Sequence, residues 1–176
     1  MRDGPNYRRL CLLPVSVVCV GSLLAADLWS SVLVTSQSGA YSNVAILTLR
    51  DSALGNIEEG QTIYYTPANQ TNLDDIVGVS TADARVYLHL CSNLGRQSGN
   101  YDTYDIVVIF GTVPASSDHK TGETACTLSL ASPDYSSIDL DVAGYWTFDF
   151  EVTTTAKSVS ADQATSVTIS VSAESM

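Results

Sequence analysis

The sequence YWTFDFEVTTT, from Tyr145 to Thr155, decides the fold class of this chain. Large apolar side chains occupy every second position, and polar side chains occupy the positions between them. A period of two is that of a β-strand with one buried face and one face toward solvent. The inward positions are Trp146, Phe148, Phe150 and Val152, and the outward positions are Thr147, Asp149 and Glu151.

Similar short runs occur before and after this strand, at a spacing of roughly ten residues and with turn residues between them. One of them, Ala84–Ser92, places Val86, Leu88 and Leu90 on one face and His89 on the other. Residues 51–60 carry Gly55-Asn56 and other turn residues, so we interpret them as a loop. The spacing predicts an all-β fold, an antiparallel β-sandwich over residues 41–176. The remaining runs are Tyr41–Arg50, Gln61–Thr66, Ile76–Ser80, Tyr104–Thr112, Thr124–Ala131, Ser136–Val142 and Thr165–Ala173.

The charge balance excludes whole classes of partner. The 176 residues carry 19 acidic and 8 basic side chains, a net charge of −11. Three of the bases lie before Asp27, so the rest of the chain has 5 bases against 18 acids, or −13. A nucleic-acid-binding protein needs the opposite sign, and anionic lipid is disfavoured for the same reason. The charge favours solubility outside the cell.

The N-terminus has the parts of a secretory signal peptide. Arg2, Arg8 and Arg9 precede an uncharged apolar run of 15 residues, Leu10–Leu24, and Ala25-Ala26 follow it. The run is shorter than the ~20 apolar residues of a membrane span. We therefore predict a cleaved signal peptide over residues 1–26, with a retained membrane anchor as the alternative.

The segment that follows, DLWSSVLVTSQ over residues 27–37, alternates like a strand. After cleavage it is a free N-terminus, and the Ser/Gly-containing residues 36–40 form a flexible joint behind it. We therefore interpret residues 27–40 as a donor strand and its joint. Its side chains are Leu28, Val32 and Val34 on one face, and Trp29 and Leu33 on the other.

A sandwich that lacks one strand exposes unpaired backbone groups and recruits a strand from another chain. Donor and groove are different surfaces of one molecule, so the contact is head-to-tail and gives an open filament of identical subunits. The alternative is that residues 28–35 pair within their own domain.

Two other features, the cysteines and a sequon, bear on covalent chemistry. Cys11 and Cys19 would leave with the signal peptide, so Cys91 and Cys126 are predicted to form one disulfide, with two buried thiols as the alternative. Asn69-Gln70-Thr71 is a glycosylation sequon, which marks Asn69 as a candidate acceptor.

No sequence pattern indicates an enzyme, a cofactor or a small-molecule substrate. There is no GxSxG elbow and no phosphate-binding glycine loop. His89 and His119 lie on unrelated segments, and no CxxC occurs, so no metal site is predicted. The pairs Asp139/Asp141 and Asp149/Glu151 each project from one face of a strand; we interpret them as solvated, with a calcium site as the alternative.

The layout resembles that of the TasA-type biofilm matrix fibre proteins and the related archaeal bundling pilins. The residues that carry the resemblance are the signal peptide, the short alternating strand, Ile46-Leu47-Thr48-Leu49 and the turn Ile57-Glu58-Glu59-Gly60-Gln61, which lacks the proline and aspartate of the family's turn. The resemblance implies a jelly-roll-like sandwich, polymerisation by donor-strand complementation through residues 28–35, and lateral contacts between filaments in a biofilm.

Three functions follow from the sequence. The first is an extracellular, self-assembling fibre subunit. The second is a type IV pilin-like subunit that retains its N-terminal helix. The third is a secreted β-sandwich that binds carbohydrate or a cell-surface layer.

Overall fold

The computed structural model describes residues 28–36, 45–83, 85–131, 135–158 and 162–175, so the predicted signal peptide lies outside the described part. This part contains eleven strands, two 3-10 turns and no α-helix, which confirms the all-β class. The strands are β1 (Leu28–Ser36), β2 (Ala45–Leu49), β3 (Ser52–Ile57), β4 (Thr62–Tyr65), β5 (Val77–Thr81), β6 (Val86–Ser92), β7 (Tyr101–Phe110), β8 (Thr124–Ser129), β9 (Tyr135–Leu140), β10 (Gly144–Ala156) and β11 (Gln163–Ser175). The turns are Thr71–Leu73 and Leu94–Gln97.

The strands form two sheets that pack as a sandwich. The β1 sheet has the order β3-β1-β11-β6-β9, and the β10 sheet has the order β2-β5-β10-β7-β8, with β4 also paired to β10. The predicted sandwich is therefore confirmed. One pairing departs from the antiparallel pattern, because β1 runs parallel to β11. The other pairings between the described strands are antiparallel.

The order of the strands contains that of an eight-stranded jelly roll, to which β1, β2 and β4 are added. Without β1, the first sheet reads β3-β11-β6-β9 and the second contains β5-β10-β7-β8. From β5 onward the chain crosses between the sheets at most of its connections, as a double-sheet jelly roll does. Strand β1 is the addition to the first sheet, inserted between β3 and β11, which are the first and last of the eight strands in sequence.

Strand β10 lies at the centre of the core, as its alternation predicts. Trp146, Phe148, Phe150 and Val152 are fully buried. The outward Thr147 is buried as well, at 1% exposure, because the backbone after β7 crosses over it. Its Oγ1 accepts a hydrogen bond from the Thr112 backbone N–H at 2.7 Å.

The interpretation of residues 51–60 as a loop is wrong, because residues 52–57 form β3. Turn residues obscured the strand: Gly55 takes a φ of +91° next to a bulge in the pairing with β1. Leu54 and Ile57 nonetheless point into the core, at 6% and 0% exposure. Burial of these two side chains outweighs the weak strand propensity of their neighbours.

The two faces of β10 differ enough to be tested by substitution. Phe150→Ala should lower the free energy of unfolding by about 3–5 kcal/mol, because it removes a fully buried ring. Tyr145→Ala, at a position that is 53% exposed in the same strand, should change it by about 0.5 kcal/mol. Urea denaturation measures both, and similar losses would contradict the assignment of the faces.

Candidate functional site: strand β1 and its slot

Strand β1 fills the space between β3 and β11, which we call the slot. All nine of its residues pair with β11, from Leu28 opposite Gln163 to Ser36 opposite Val171. Its first five residues also pair with β3. Within one chain the segment therefore completes its own sheet, which is the alternative that the sequence left open.

The alternation predicted for this segment is confirmed on its inward face. Leu28, Ser30, Val32 and Val34 are buried, at 0–6% exposure. Leu33 points outward and is 37% exposed, and the side chain of Trp29 lies outside the described part. Removing the three aliphatic side chains from water contributes roughly 1.5–3 kcal/mol each.

Polar contacts of side chains also hold β1 in the slot. The buried Ser30 Oγ lies 3.2 Å from the Tyr104 hydroxyl on β7, in the opposite sheet. Pairing with β3 ends at Val32, and beyond it the Val34 N–H donates to the Asp51 carboxylate at 2.8 Å. On the outer face, the Thr35 and Ser170 hydroxyls are 3.4 Å apart.

No hairpin ties β1 to either of its neighbours in the sheet. The next strand, β2, belongs to the other sheet, and residues 37–44 between them lie outside the described part. Strand β11 is at the far end of the sequence, so the parallel pair joins the two ends of the chain. The described contacts between β1 and its slot are therefore non-covalent, and any chain with the same sequence could make them.

The predicted disulfide is not formed, and Cys91 and Cys126 are both free thiols. The alternation of the strands explains this. Leu88 and Leu90 are buried on one face of β6. Cys91 is the next residue after Leu90, so its side chain lies on the opposite face and points away from the core. Cys126 lies in the β10 sheet and packs against the core, where burial raises the pKa of its thiol.

Asn69 is exposed in the turn after β4, as an acceptor of a glycan must be. Its side chain also organises that turn. Oδ1 accepts from the Thr66 N–H at 2.7 Å, and Nδ2 donates to the Tyr64 carbonyl at 2.9 Å. Glycosylation of Asn69 stays a prediction.

The two carboxylate pairs do not act as pairs, because each member has its own partner. Asp139 bonds to Arg85 at 2.9 Å, whereas Asp141 accepts from the Ser117 hydroxyl and the Asp118 N–H, each at 2.7 Å. Glu151 accepts from the Tyr64 hydroxyl, and Asp149 turns toward a different acidic group. The calcium alternative on these two pairs is therefore not supported by their contacts.

The acidic group is Asp74, Asp75 and Asp149, whose carboxylate oxygens lie within 4.8 Å of one another. Among the described residues, it is the group that could hold a metal ion. Oδ1 of Asp149 already accepts the Asp75 N–H at 2.8 Å. Burial, together with the charges of Asp74 and Asp75, raises the pKa of Asp149. Sequence reasoning missed this group because Asp74 and Asp75 are distant in sequence from Asp149. Only the fold brings them next to β10.

Each of the two histidines contacts side chains of the fold around it. His89 faces outward as predicted, between the Glu174 carboxylate at 3.2 Å and the Tyr135 hydroxyl at 2.6 Å. His119 stacks on Phe110, with ring centroids 4.6 Å apart, and covers one end of the core. The two imidazoles belong to separate groups of contacts.

Comparison with models of protein families and with curated proteins found no match. The described residues contain no helix that is both long and apolar enough to cross a membrane. The resemblance to TasA-type fibre proteins therefore depends on the sequence motifs alone.

The raised pKa of Asp149 makes a prediction about pH. A carboxyl whose folded pKa is raised stabilises the fold below its unfolded pKa, and that contribution is lost as pH rises through the folded pKa. Asp149→Asn keeps an acceptor for the Asp75 N–H and removes the charge. It should therefore raise Tm at pH 7 in the presence of EDTA, and the gain should disappear near pH 3.

Asp141→Asn is the matched control, with the opposite sign. Burial alone would raise the pKa of Asp141, but the hydrogen bonds from Ser117 and Asp118 outweigh it and lower the pKa. The stability that the Asp141 carboxylate contributes is present above the pKa of the unfolded state, and it is lost as pH falls through the pKa of the folded state. Asp141→Asn should lower Tm at pH 7 and have less effect in acid. If both variants shifted Tm in the same direction at pH 7, the assignment of these two environments would be wrong.

Proposed function

We propose that this protein is an extracellular structural subunit that polymerises head-to-tail by donor-strand exchange. Strand β1 of one molecule fills the slot of the next, and the resulting filaments bundle in a biofilm matrix. One observation carries the proposal: a strand from the N-terminal end of the described chain completes a sheet without a hairpin to either neighbour. Exchange of such a strand creates no new contact surface, because the joint reuses the contacts described above.

Exchange competes with insertion of β1 into its own slot. Residues 37–44 link β1 to β2, and a short linker gives the end of β1 an effective concentration on the order of millimolar. Two free molecules at lower concentration therefore keep their own strands. A filament grows where subunits are concentrated, or where β1 has not yet entered its own slot, as in a chain that has just been exported.

Side-by-side packing of filaments has to overcome the net charge of the chain from Asp27 onward, 5 bases against 18 acids, or −13. Like charges repel over about 10 Å at 0.1 M salt and over less at higher ionic strength. Exposed tyrosines offer contact area on the outer faces: Tyr64, Tyr135 and Tyr145 are 51–53% exposed. Bundling of filaments therefore increases with ionic strength.

A cysteine cross-link reads which molecule supplies β1. Ser31 and Ser166 are directly opposite each other in the β1–β11 pair. In a chain with Ser31→Cys and Ser166→Cys, and with Cys11, Cys19 and Cys91 replaced by serine, oxidation joins β1 to whichever β11 it contacts. We expect oxidised, assembled protein to run as a ladder of covalent multimers on a denaturing gel, and to return to monomer with reductant.

A pair that does not involve β1 provides the control. Ser170 lies opposite the native Cys91 in the β11–β6 pair, so Ser170→Cys should give a cross-link within one chain under all conditions. If the Ser31–Ser166 pair also linked only within one chain in assembled material, β1 would not be the joint. If the protein stayed monomeric at every concentration tested, the secreted binding domain would be the better reading.

A further inference from the structure

We propose that the slot is a sequence-selective binding site for an extended strand, and that the Ser30–Tyr104 hydrogen bond sets the register in which the strand binds. The inference deepens the proposed function and rests on it for the identity of the joint. The selection of register also applies when β1 binds the slot of its own domain. The claim about register and the claim about exchange between molecules can therefore fail separately.

The inward face of β1 carries one polar side chain among three aliphatic ones. Ser30 lies between Leu28 and Val32 and is fully buried. The hydroxyl group that it meets, that of Tyr104, is fully buried too and comes from the opposite sheet. The bond between them crosses the core, so it depends on where β1 sits along its own axis.

A second hydroxyl pair lies beside the first and belongs entirely to the slot. The Tyr101 hydroxyl lies 2.6 Å from Oγ1 of Thr165, and Thr165 is the residue of β11 directly opposite Ser30. The rings of Tyr101 and Tyr104 meet edge to face, with centroids 4.8 Å apart. Strands β7 and β11 therefore satisfy Tyr101 by themselves, whereas Tyr104 depends on β1 for its partner.

A shift of β1 by one residue would turn its inward face outward, so the competing registers are those shifted by two. In those registers Leu28 or Val32 would take the place of Ser30, and the Tyr104 hydroxyl would lose its partner in the core. A buried hydroxyl without a partner weakens binding roughly 10- to 100-fold. The other inward residues are aliphatic and discriminate less between registers. The slot thus selects a strand with a hydroxyl between two apolar inward residues.

Substitution tests whether the Ser30 and Tyr104 hydroxyl groups depend on each other. Ser30→Val alone leaves the Tyr104 hydroxyl unpaired and should reduce the folding equilibrium constant about 10- to 100-fold. Adding Tyr104→Phe removes the orphaned hydroxyl and should restore most of that loss, because both partners are then apolar. If Tyr104→Phe does not restore stability to the Ser30→Val chain, the two hydroxyls are not coupled and the proposal fails.

Cross-linking in the full chain reads the register directly. Ser31→Cys is combined with a cysteine at Ser166, the native partner, or at Ala164 or Thr168, two residues to either side. With Ser30 and Tyr104 present we expect the cross-link at residue 166 alone. With Ser30→Val and Tyr104→Phe together, we expect cross-links at residues 164 or 168 as well.

A cross-link confined to residue 166 in that double variant would overturn the register claim, whichever chain supplies β1. Multimer ladders against monomer bands report the exchange, and the position of the linked cysteine reports the register. Failure of the proposed function and failure of this inference therefore give different results on one gel.

Discussion

The structure depends on the pairing of β1 with β11. Strand β3, at the edge of the first sheet, has no other sheet partner among the described strands, so it is held through β1. Removing β1 would leave β3 and β11 two strand spacings apart, or about 9–10 Å. The core would also open where Leu28, Val32 and Val34 are buried. A strand of this kind has to be present, but the fold does not specify which molecule provides it.

Because the fold accepts β1 from either molecule, it is compatible with the proposed function. A hairpin strand is bound to its neighbour by a short turn, whereas β1 reaches its slot through residues 37–44 from a strand in the opposite sheet. Insertion into the same chain and insertion into the next one make the same contacts, so tether and concentration decide between them. A monomer that closes on itself and a filament are then two arrangements of one interaction. Because no hairpin ties β1 to its neighbours, the proposed filament would need no second interface.

Much of the fold follows from the sequence because one physical signal, alternation, carries it. Alternation predicts the strand Tyr145–Thr155, which the structure extends by one residue at each end, the inward face of β1 and the outward position of His89. Alternation does not reveal β3, where glycine and polar residues separate the two buried side chains. The predicted disulfide is wrong because Cys91 and Cys126 lie in different sheets, and Cys91 faces away from the core. The parallel pairing, the Asp74–Asp75–Asp149 group and the Ser30–Tyr104 bond depend on contacts between residues distant in sequence. Local patterns do not contain such contacts.

The most direct measurement is an electron cryo-microscopy reconstruction of the protein at high concentration, at a resolution that traces residues 37–44 from β1 to β2. Donor-strand exchange predicts filaments in which the strand between β3 and β11 of each subunit connects to β2 of its neighbour. Filaments in which each β1 connects to β2 of its own sandwich would contradict it.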